Sequence, residues 1–178
     1  MSRIRLKTPA EAPERFREFM LRRGDLNVFR LLANAPAVFG GWTRMVDELL
    51  DSPTFTPRLR ELVILRVASL QRCRYELAQH TDRGLQAGIT ARQLDAVTGT
   101  GELDDIGLDP TELAVLRLVT ELCVTHQVGQ DAFDAVLAAL GTEATTELMI
   151  LISSYYGLAF ILNAVDLDID TRARLREV

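Results

Sequence analysis

Apolar residues recur along this chain with the three- and four-residue spacing of amphipathic helices, and strand-like alternation is almost absent. The apolar stretches end at glycine or proline. Several begin at a capping residue, such as Thr56 before Pro57 and Thr90 three residues before Gln93. The apolar spacing and these capping and helix-breaking residues predict an all-α protein. The predicted helices lie at residues 13–22, 27–34, 37–50, 57–71, 73–87, 90–98, 110–126, 130–140 and 142–165.

One uncharged run, residues 148–165, has 18 residues and so approaches the length of a membrane span. Because Gly157 and Asn163 interrupt it and three aspartates follow it, we expect a core or subunit-interface helix and no membrane span. Its adjacent tyrosines, Tyr155 and Tyr156, could line a pocket, but packing is the more ordinary role for aromatic residues in such a helix.

Charge is distributed unevenly along the 178 residues, whose formal net charge is −5. Residues 1–83 carry a net +5 and the remainder a net −10. No cluster of basic residues lies beside aromatic ones and no glycine-rich phosphate loop occurs, so we expect neither nucleic acid nor nucleotide as partner. The basic half could attract a small anionic substrate, although arginines that solvate exposed faces explain the same charge.

The amino-terminal residues and the cysteine content indicate a cellular compartment. The first sixteen residues contain no apolar run of the kind found in secretory signals, so we expect no secretory signal. Two cysteines cannot form a disulfide framework, which favours a reducing environment. The sequence therefore predicts a cytoplasmic protein.

Candidate chemistry is concentrated between Arg60 and His80. Cys73, Glu76 and His80 follow at i, i+3 and i+7 and therefore share one helical face. A carboxylate one turn from an imidazole can fix its tautomer and raise its basicity, which suits general acid–base catalysis. Cys73 would lie at the start of its helix, where the partial positive charge favours a thiolate.

Arg66 interrupts an otherwise apolar helix, and a buried arginine needs an anionic partner. If helices 57–71 and 73–87 form a hairpin, Arg66 should lie level with Glu76 and His80. Glu61 should then lie one turn further from the bend, within reach of the same site. An ion-pair network that ties the two helices together is the structural alternative.

A zinc site is a further alternative. Cys73, His80, Cys123 and His126 supply two thiols and two imidazoles, the number that a tetrahedral site requires. Their spacing matches no zinc module, and buried cysteines commonly serve only in packing. We therefore expect no metal, and we expect Cys123 to be a core residue.

The segment resembles the carboxymuconolactone decarboxylase/alkylhydroperoxidase-like superfamily. Its thiol-redox members carry Glu, eleven residues, and then Cys-x-x-Cys-x-x-x-His. Glu61, Cys73, Glu76 and His80 reproduce that spacing, but Glu76 replaces the second cysteine. The AGIT turn at 87–90 and the apolar helix ending in FILN extend the resemblance over about residues 35–170.

The resemblance implies an all-α, alkylhydroperoxidase-like helical bundle that assembles into a homo-oligomer, either a trimer or a hexamer. It implies an amino-terminal helical arm at 1–34, the family domain at 35–170 and a short basic tail at 171–178. The Cys-x-x-Glu-x-x-x-His form is typical of a non-dithiol branch. It implies no cofactor and a small-molecule substrate, with catalytic residues Glu61, Cys73, Glu76 and His80 and substrate-binding residues Arg66 and Tyr75.

Three functions are compatible with this pattern. The first is acid–base chemistry of the decarboxylase type on a small carboxylated or lactone substrate, with His80 as acid or base and Glu76 or Glu61 orienting it. The second is a thiol-dependent peroxidase that uses Cys73 as nucleophile and needs an external thiol. The third is a non-enzymatic oligomeric protein that binds a ligand.

Overall fold

The computed structural model of the chain describes residues 1–99 and 103–170, and within these ranges the protein is helical with no strand. The predicted all-α class is therefore confirmed. Residues 100–102 and the predicted tail at 171–178 lie outside the described residues. The helices are α1 (Glu14–Arg22), α2 (Asn27–Leu32), α3 (Pro36–Asp51), α4 (Pro57–Leu70), α5 (Arg74–Gln86), α6 (Ala91–Thr98), α7 (Pro110–Thr125) and α8 (Gln130–Val165).

The chain divides into two compact units. Among the described residues, one unit comprises residues 1–52 together with residues 162–170, and the other comprises Pro53–Ile161. The boundary between arm and domain predicted at 34/35 lies inside the first unit, and the predicted division into domains stays a prediction.

Aromatic side chains form the core of the first unit. Phe39 packs edge-on against Phe16 and Phe19, with ring centroids 4.8 and 6.1 Å apart, and it stacks on Trp42 at 6.2 Å. Phe29 contacts Phe19 at 5.0 Å. Edge-on aromatic pairs of this kind bury large apolar areas in a fixed geometry, and they join α1, α2 and α3.

Helix α4 is the centre of the second unit. Thr56 caps it by accepting a hydrogen bond from the Leu59 amide at 3.1 Å, and Pro57 occupies its first turn, as predicted. Ten consecutive residues, from Leu59 to Ala68, are buried, because the helix packs against α5, α6 and α7. A helix enclosed on several sides must accommodate the charged residues that it carries, and this places Glu61 and Arg66 in the interior.

A three-residue turn joins α4 and α5 as the predicted hairpin. Arg72 has a left-handed backbone (φ 53°), and the Cys73 amide donates to the Ala68 carbonyl at 2.8 Å. Gly84 allows the two helices to pack closely, since a Cβ there would lie 2.9 Å from a methyl carbon of Leu65. The hairpin brings Glu61 on α4 beside His80 on α5.

Arg58 connects the start of α4 to the starts of two other helices. Its guanidinium donates to Glu112 at 2.6 Å, to Gln93 at 3.0 Å and to the Gly88 carbonyl. Gln93 and Glu112 are also the third residues of the capping boxes that begin α6 and α7. The predicted capping box of α6 is thus confirmed, and its glutamine also bonds to α4.

Helix α8 is interrupted at Gly141 (φ 77°), where the sequence predicts a break between two helices. Of the described helices, it is the one long and apolar enough to cross a membrane by length and composition, with a mean hydropathy of 1.8 over 18 residues. The chain itself buries only 39% of that window, and Ile150, Phe160 and Ile161 are exposed. A core position within the single chain therefore does not account for the whole apolar surface.

Candidate active site

The centre of the site is a hydrogen bond between Glu61 and His80. The Nδ1 atom of His80 lies 2.7 Å from Oε2 of Glu61, and both side chains are buried. A carboxylate can only accept, so Nδ1 carries the shared hydrogen, and in the neutral form of the imidazole Nε2 is the nitrogen without a hydrogen. Nε2 has no hydrogen-bond partner within residues 1–99 and 103–170. The pair therefore holds one imidazole nitrogen ready to exchange a proton with a bound molecule.

Tyr155 of α8 completes the surroundings of His80. The two rings meet edge-on with their centroids 5.3 Å apart. Burial raises the pKa of the Tyr155 hydroxyl, and the nearby carboxyl groups of Glu61 and Glu76 raise it further. Tyr155 therefore stays a neutral phenol that can donate a hydrogen bond beside the imidazole.

Glu76 has an unusual environment for a carboxyl group. It is 2% exposed, and neither of its oxygens has a hydrogen-bond partner among the described residues. Burial raises its pKa to about 8, and the nearby Cys73 thiol opposes part of this rise. Glu76 is thus mainly protonated at neutral pH, a neutral acid one turn from His80 on the same face of α5.

Cys73 lies at the N-cap of α5 and is fully buried. Burial raises the pKa of its thiol to about 12, and the charge of Glu76 adds to the effect. The expectation that the helix N-terminus favours a thiolate is therefore wrong, because removal from water outweighs the helix dipole. Cys73 remains a neutral thiol in the resting protein.

Arg66 binds no carboxylate within residues 1–99 and 103–170 and is held instead by carbonyl and hydroxyl oxygens. Its guanidinium donates to the carbonyls of Val97 and Gly99 at 3.1 and 3.2 Å and to the Thr120 hydroxyl at 2.9 Å. The last carbonyls of α6 are free to accept these hydrogen bonds and carry the negative end of the helix dipole, and the predicted anionic partner stays a prediction. Arg66 thus ties α4 to α6 and α7, and its predicted role in substrate binding has no support from these contacts.

Cys123 and His126 occupy a separate part of the second unit. Burial raises the pKa of the Cys123 thiol to about 11, and Arg66 acts in the opposite direction. His126 ends α7 in a left-handed conformation and meets Tyr156 edge-on at 6.2 Å. No group of three or more His, Cys, Asp or Glu side chains within the described ranges is arranged to hold a metal ion.

The sequence predicts a role for Tyr75 and gives less weight to Tyr155. Tyr75 is buried on α5, and its contact with substrate stays a prediction. For Tyr155 the sequence favours packing over lining a pocket, because nothing local distinguishes it from other core aromatics, yet its ring lies against His80.

Comparisons with known proteins agree with this architecture. Residues 36–121 match the model of the carboxymuconolactone decarboxylase family. An uncharacterized peroxidase-related protein from Ralstonia eutropha JMP134, with an alkylhydroperoxidase AhpD core, superimposes with a TM-score of 0.81 at 20% identity over 98% of this chain and 94% of its own. A peroxidase-related protein from Silicibacter sp. TM1040 gives 0.80 at 12% identity, over 97% and 94%.

A third solved structure is that of a Cys-to-Ala variant of the debrominase Bmp8 in complex with 2,3,4-tribromopyrrole. It has a TM-score of 0.78 at 18% identity and covers 99% of both chains. No curated protein matches the sequence. The family match over residues 36–121 and the shared fold both support the carboxymuconolactone decarboxylase/alkylhydroperoxidase-like superfamily for this chain.

Proposed function

We propose that the protein catalyses acid–base chemistry of the decarboxylase type on a small carboxylated or lactone substrate. The observation that carries the proposal is the buried hydrogen bond of 2.7 Å between Glu61 and His80. It orients the imidazole and leaves Nε2 to take or give the proton. Tyr155 restricts the other side of the ring.

The proposed reaction requires a proton donor as well as an oriented base. Breaking the bond between a carbon and its carboxylate releases carbon dioxide and leaves an electron pair on that carbon, conjugated with the lactone carbonyl. A proton delivered to the carbon completes the reaction. Either a protonated His80 or the neutral carboxyl of Glu76 supplies it, and water restores the donor. The raised pKa of Glu76, about 8, suits this role near neutral pH.

The thiol-dependent alternative has two observations in its favour. Cys73 lies one turn from Glu76 on the face that also carries His80, and a debrominase shares the fold over nearly its whole length. Both cysteines are free, so peroxide reduction through Cys73 would need an external thiol to resolve the oxidised sulfur. The raised thiol pKa makes this the second candidate, and ligand binding without catalysis is the third.

A panel of small carboxylated lactones tests the proposal. Carbon dioxide release and exchange of carbon-bound hydrogen with deuterated water are followed for the wild type and for H80Q, E61Q and C73S. We expect H80Q to lose turnover by about 10²- to 10⁴-fold and C73S to retain it. Turnover that survives in H80Q but disappears in C73S would replace the acid–base proposal with the thiol-dependent one.

The proposal also covers the cellular compartment and the oligomeric state of the protein. We propose a cytoplasmic homo-oligomer, a trimer or a hexamer, with a small molecule as its substrate. The exposed apolar residues of α8 support an interface with further copies of the chain, since large exposed apolar surfaces commonly mark interaction sites.

A further inference from the structure

We propose that Arg83 binds a carboxylate group of the substrate beside His80, an inference that rests on the proposed function and names the group that recognises its substrate. Arg83 follows His80 by three residues and Glu76 by seven on α5. These spacings place all three residues on one face of the helix. The residue therefore belongs to the same side of the hairpin as the proposed proton donors.

The electrostatics of Tyr155 agree with this placement of Arg83. Tyr155 meets the His80 ring edge-on, and burial and the Glu61 carboxylate raise the pKa of its hydroxyl. The positive charge of Arg83 acts against this rise in the Tyr155 pKa, as expected for a residue on the face of α5 that carries His80.

Arg83 is also available to bind a ligand. It is half-buried, and its guanidinium makes no hydrogen bond or ion pair with any residue in the described parts of the chain. Other half-buried or buried arginines of this unit are engaged: Arg58 with Glu112, and Arg66 with the end of α6. A partly desolvated guanidinium without a partner is suited to a carboxylate, which it can bind through two parallel hydrogen bonds.

Helix geometry guides the choice of test ligands. Three residues correspond to a rise of about 4.5 Å along α5. Molecules with one substituted five- or six-membered ring match this rise in length and are therefore suitable probes. Because Glu76 is mainly protonated at neutral pH, it does not repel a substrate carboxylate that enters the site. Glu61 remains the acidic partner of His80.

An arginine in the last turn of a helix can also simply stabilise the negative end of the helix dipole. That role affects the stability of α5 and gives no preference between a charged ligand and a neutral one of the same shape. Ligand preference therefore separates the two roles.

Arg74 provides a matched control on the same helix. It is exposed at the first turn of α5, and nine residues separate it from Arg83, which places the two on opposite faces. Replacing either residue with alanine removes the same charge from the same helix. The Arg83 variants are R83A and R83K, in which lysine keeps the charge but loses the two-pronged geometry.

Calorimetric titration with three carboxylates and their carboxamides tests the inference: 5-oxotetrahydrofuran-2-carboxylate, furan-2-carboxylate and benzoate. For the wild type and R74A, at least one carboxylate should bind about 10-fold or more tightly than its amide, because a charge-assisted hydrogen bond is lost with the charge. R83A should bind both forms equally weakly, and R83K should fall between. A carboxylate preference that survives in R83A, or its absence from the wild type for all three pairs, would overturn the inference.

The outcome is separable from that of the proposed function. A wild type that binds carboxylates through Arg83 yet releases no carbon dioxide keeps this inference and removes the decarboxylase proposal. Turnover that depends on His80, combined with a carboxylate preference unchanged in R83A, gives the reverse result.

Discussion

Nδ1 of His80 lies 2.7 Å from Oε2 of Glu61, and neither side chain has more than slight access to water. This distance is typical of a charge-assisted hydrogen bond. It assigns the proton to Nδ1 and leaves Nε2 as the atom that meets a substrate.

The first prediction follows from that assignment. E61Q keeps the shape of the side chain but removes the charge that selects the tautomer, and an amide can turn either its oxygen or its nitrogen towards Nδ1. Nitrogen-15 spectra should show a single Nε2-unprotonated tautomer of His80 in the wild type and a mixture in E61Q. An unchanged tautomer in E61Q would mean that the surrounding packing orients the ring.

The second prediction concerns stability against pH. Burial raises the pKa of Glu76 to about 8 in the folded protein, from an ordinary value of 4.5. The folded state holds the Glu76 proton more tightly than the unfolded chain does. The contribution of this proton to the free energy of unfolding is therefore complete below about pH 4.5 and is lost as the pH rises towards 8 and above.

Urea unfolding from pH 5 to pH 9 measures this effect. The wild type should lose on the order of a few kcal/mol of unfolding free energy relative to E76Q across the range. E143Q, at an exposed position of α8, serves as control and should follow the wild type. Parallel curves for the wild type and E76Q would mean that Glu76 is ionised in the folded protein.

The third prediction concerns the reactivity of Cys73. A pKa of about 12 instead of 9.0 lowers the thiolate fraction at neutral pH by about 10³-fold, so alkylation by iodoacetamide should be correspondingly slow in the native state. Peptide mass spectrometry distinguishes Cys73 from Cys123.

A dithiol cycle should likewise be absent from the wild type, because position 76 carries no sulfur. Peroxide turnover linked to lipoamide or thioredoxin should be negligible in the wild type and measurable in E76C, whose new thiol can resolve a mixed disulfide. Strong wild-type turnover that disappears in C73S would favour the peroxidase.

The fourth prediction concerns Arg66, whose hydrogen bonds close the end of α6. R66M keeps the aliphatic part of the side chain but leaves two carbonyls and a hydroxyl without their donor. We expect a loss of about 2–4 kcal/mol in unfolding free energy. R117M removes an exposed arginine paired with Asp104 and should cost less than about 1 kcal/mol. Equal effects would assign Arg66 no special structural role.

The fifth prediction concerns the exposed face of α8. Phe160 is 72% exposed within an uncharged segment, and Ile161 beside it is exposed as well. If a further copy of the chain covers this face, F160D should shift the protein towards the monomer in sedimentation velocity at micromolar concentration. V38D, at an exposed apolar residue of the other unit, is the control. A monomeric wild type would contradict the oligomer outright.

The parts of the site that were predictable are those that lie close in sequence. Helical spacing and the short link between α4 and α5 were sufficient to place Glu61 near His80, and the break at Gly141 was visible as a glycine between two periodic stretches. The partners of Arg66 were not predictable, since they come from the end of α6 and from α7. Tyr155 reaches His80 across 75 positions of the chain, a contact that no local pattern encodes.

The tight hairpin of α4 and α5 has a consequence for how the protein acquires its site. Glu61 and His80 are only 19 residues apart, so closing the chain between them costs little entropy, whereas Tyr155 joins through a much longer loop. Contacts of short sequence separation form early in folding. We expect the imidazole–carboxylate pair to form while the nascent chain still lacks α8. The hairpin that folds first would then also carry the chemical centre of the protein.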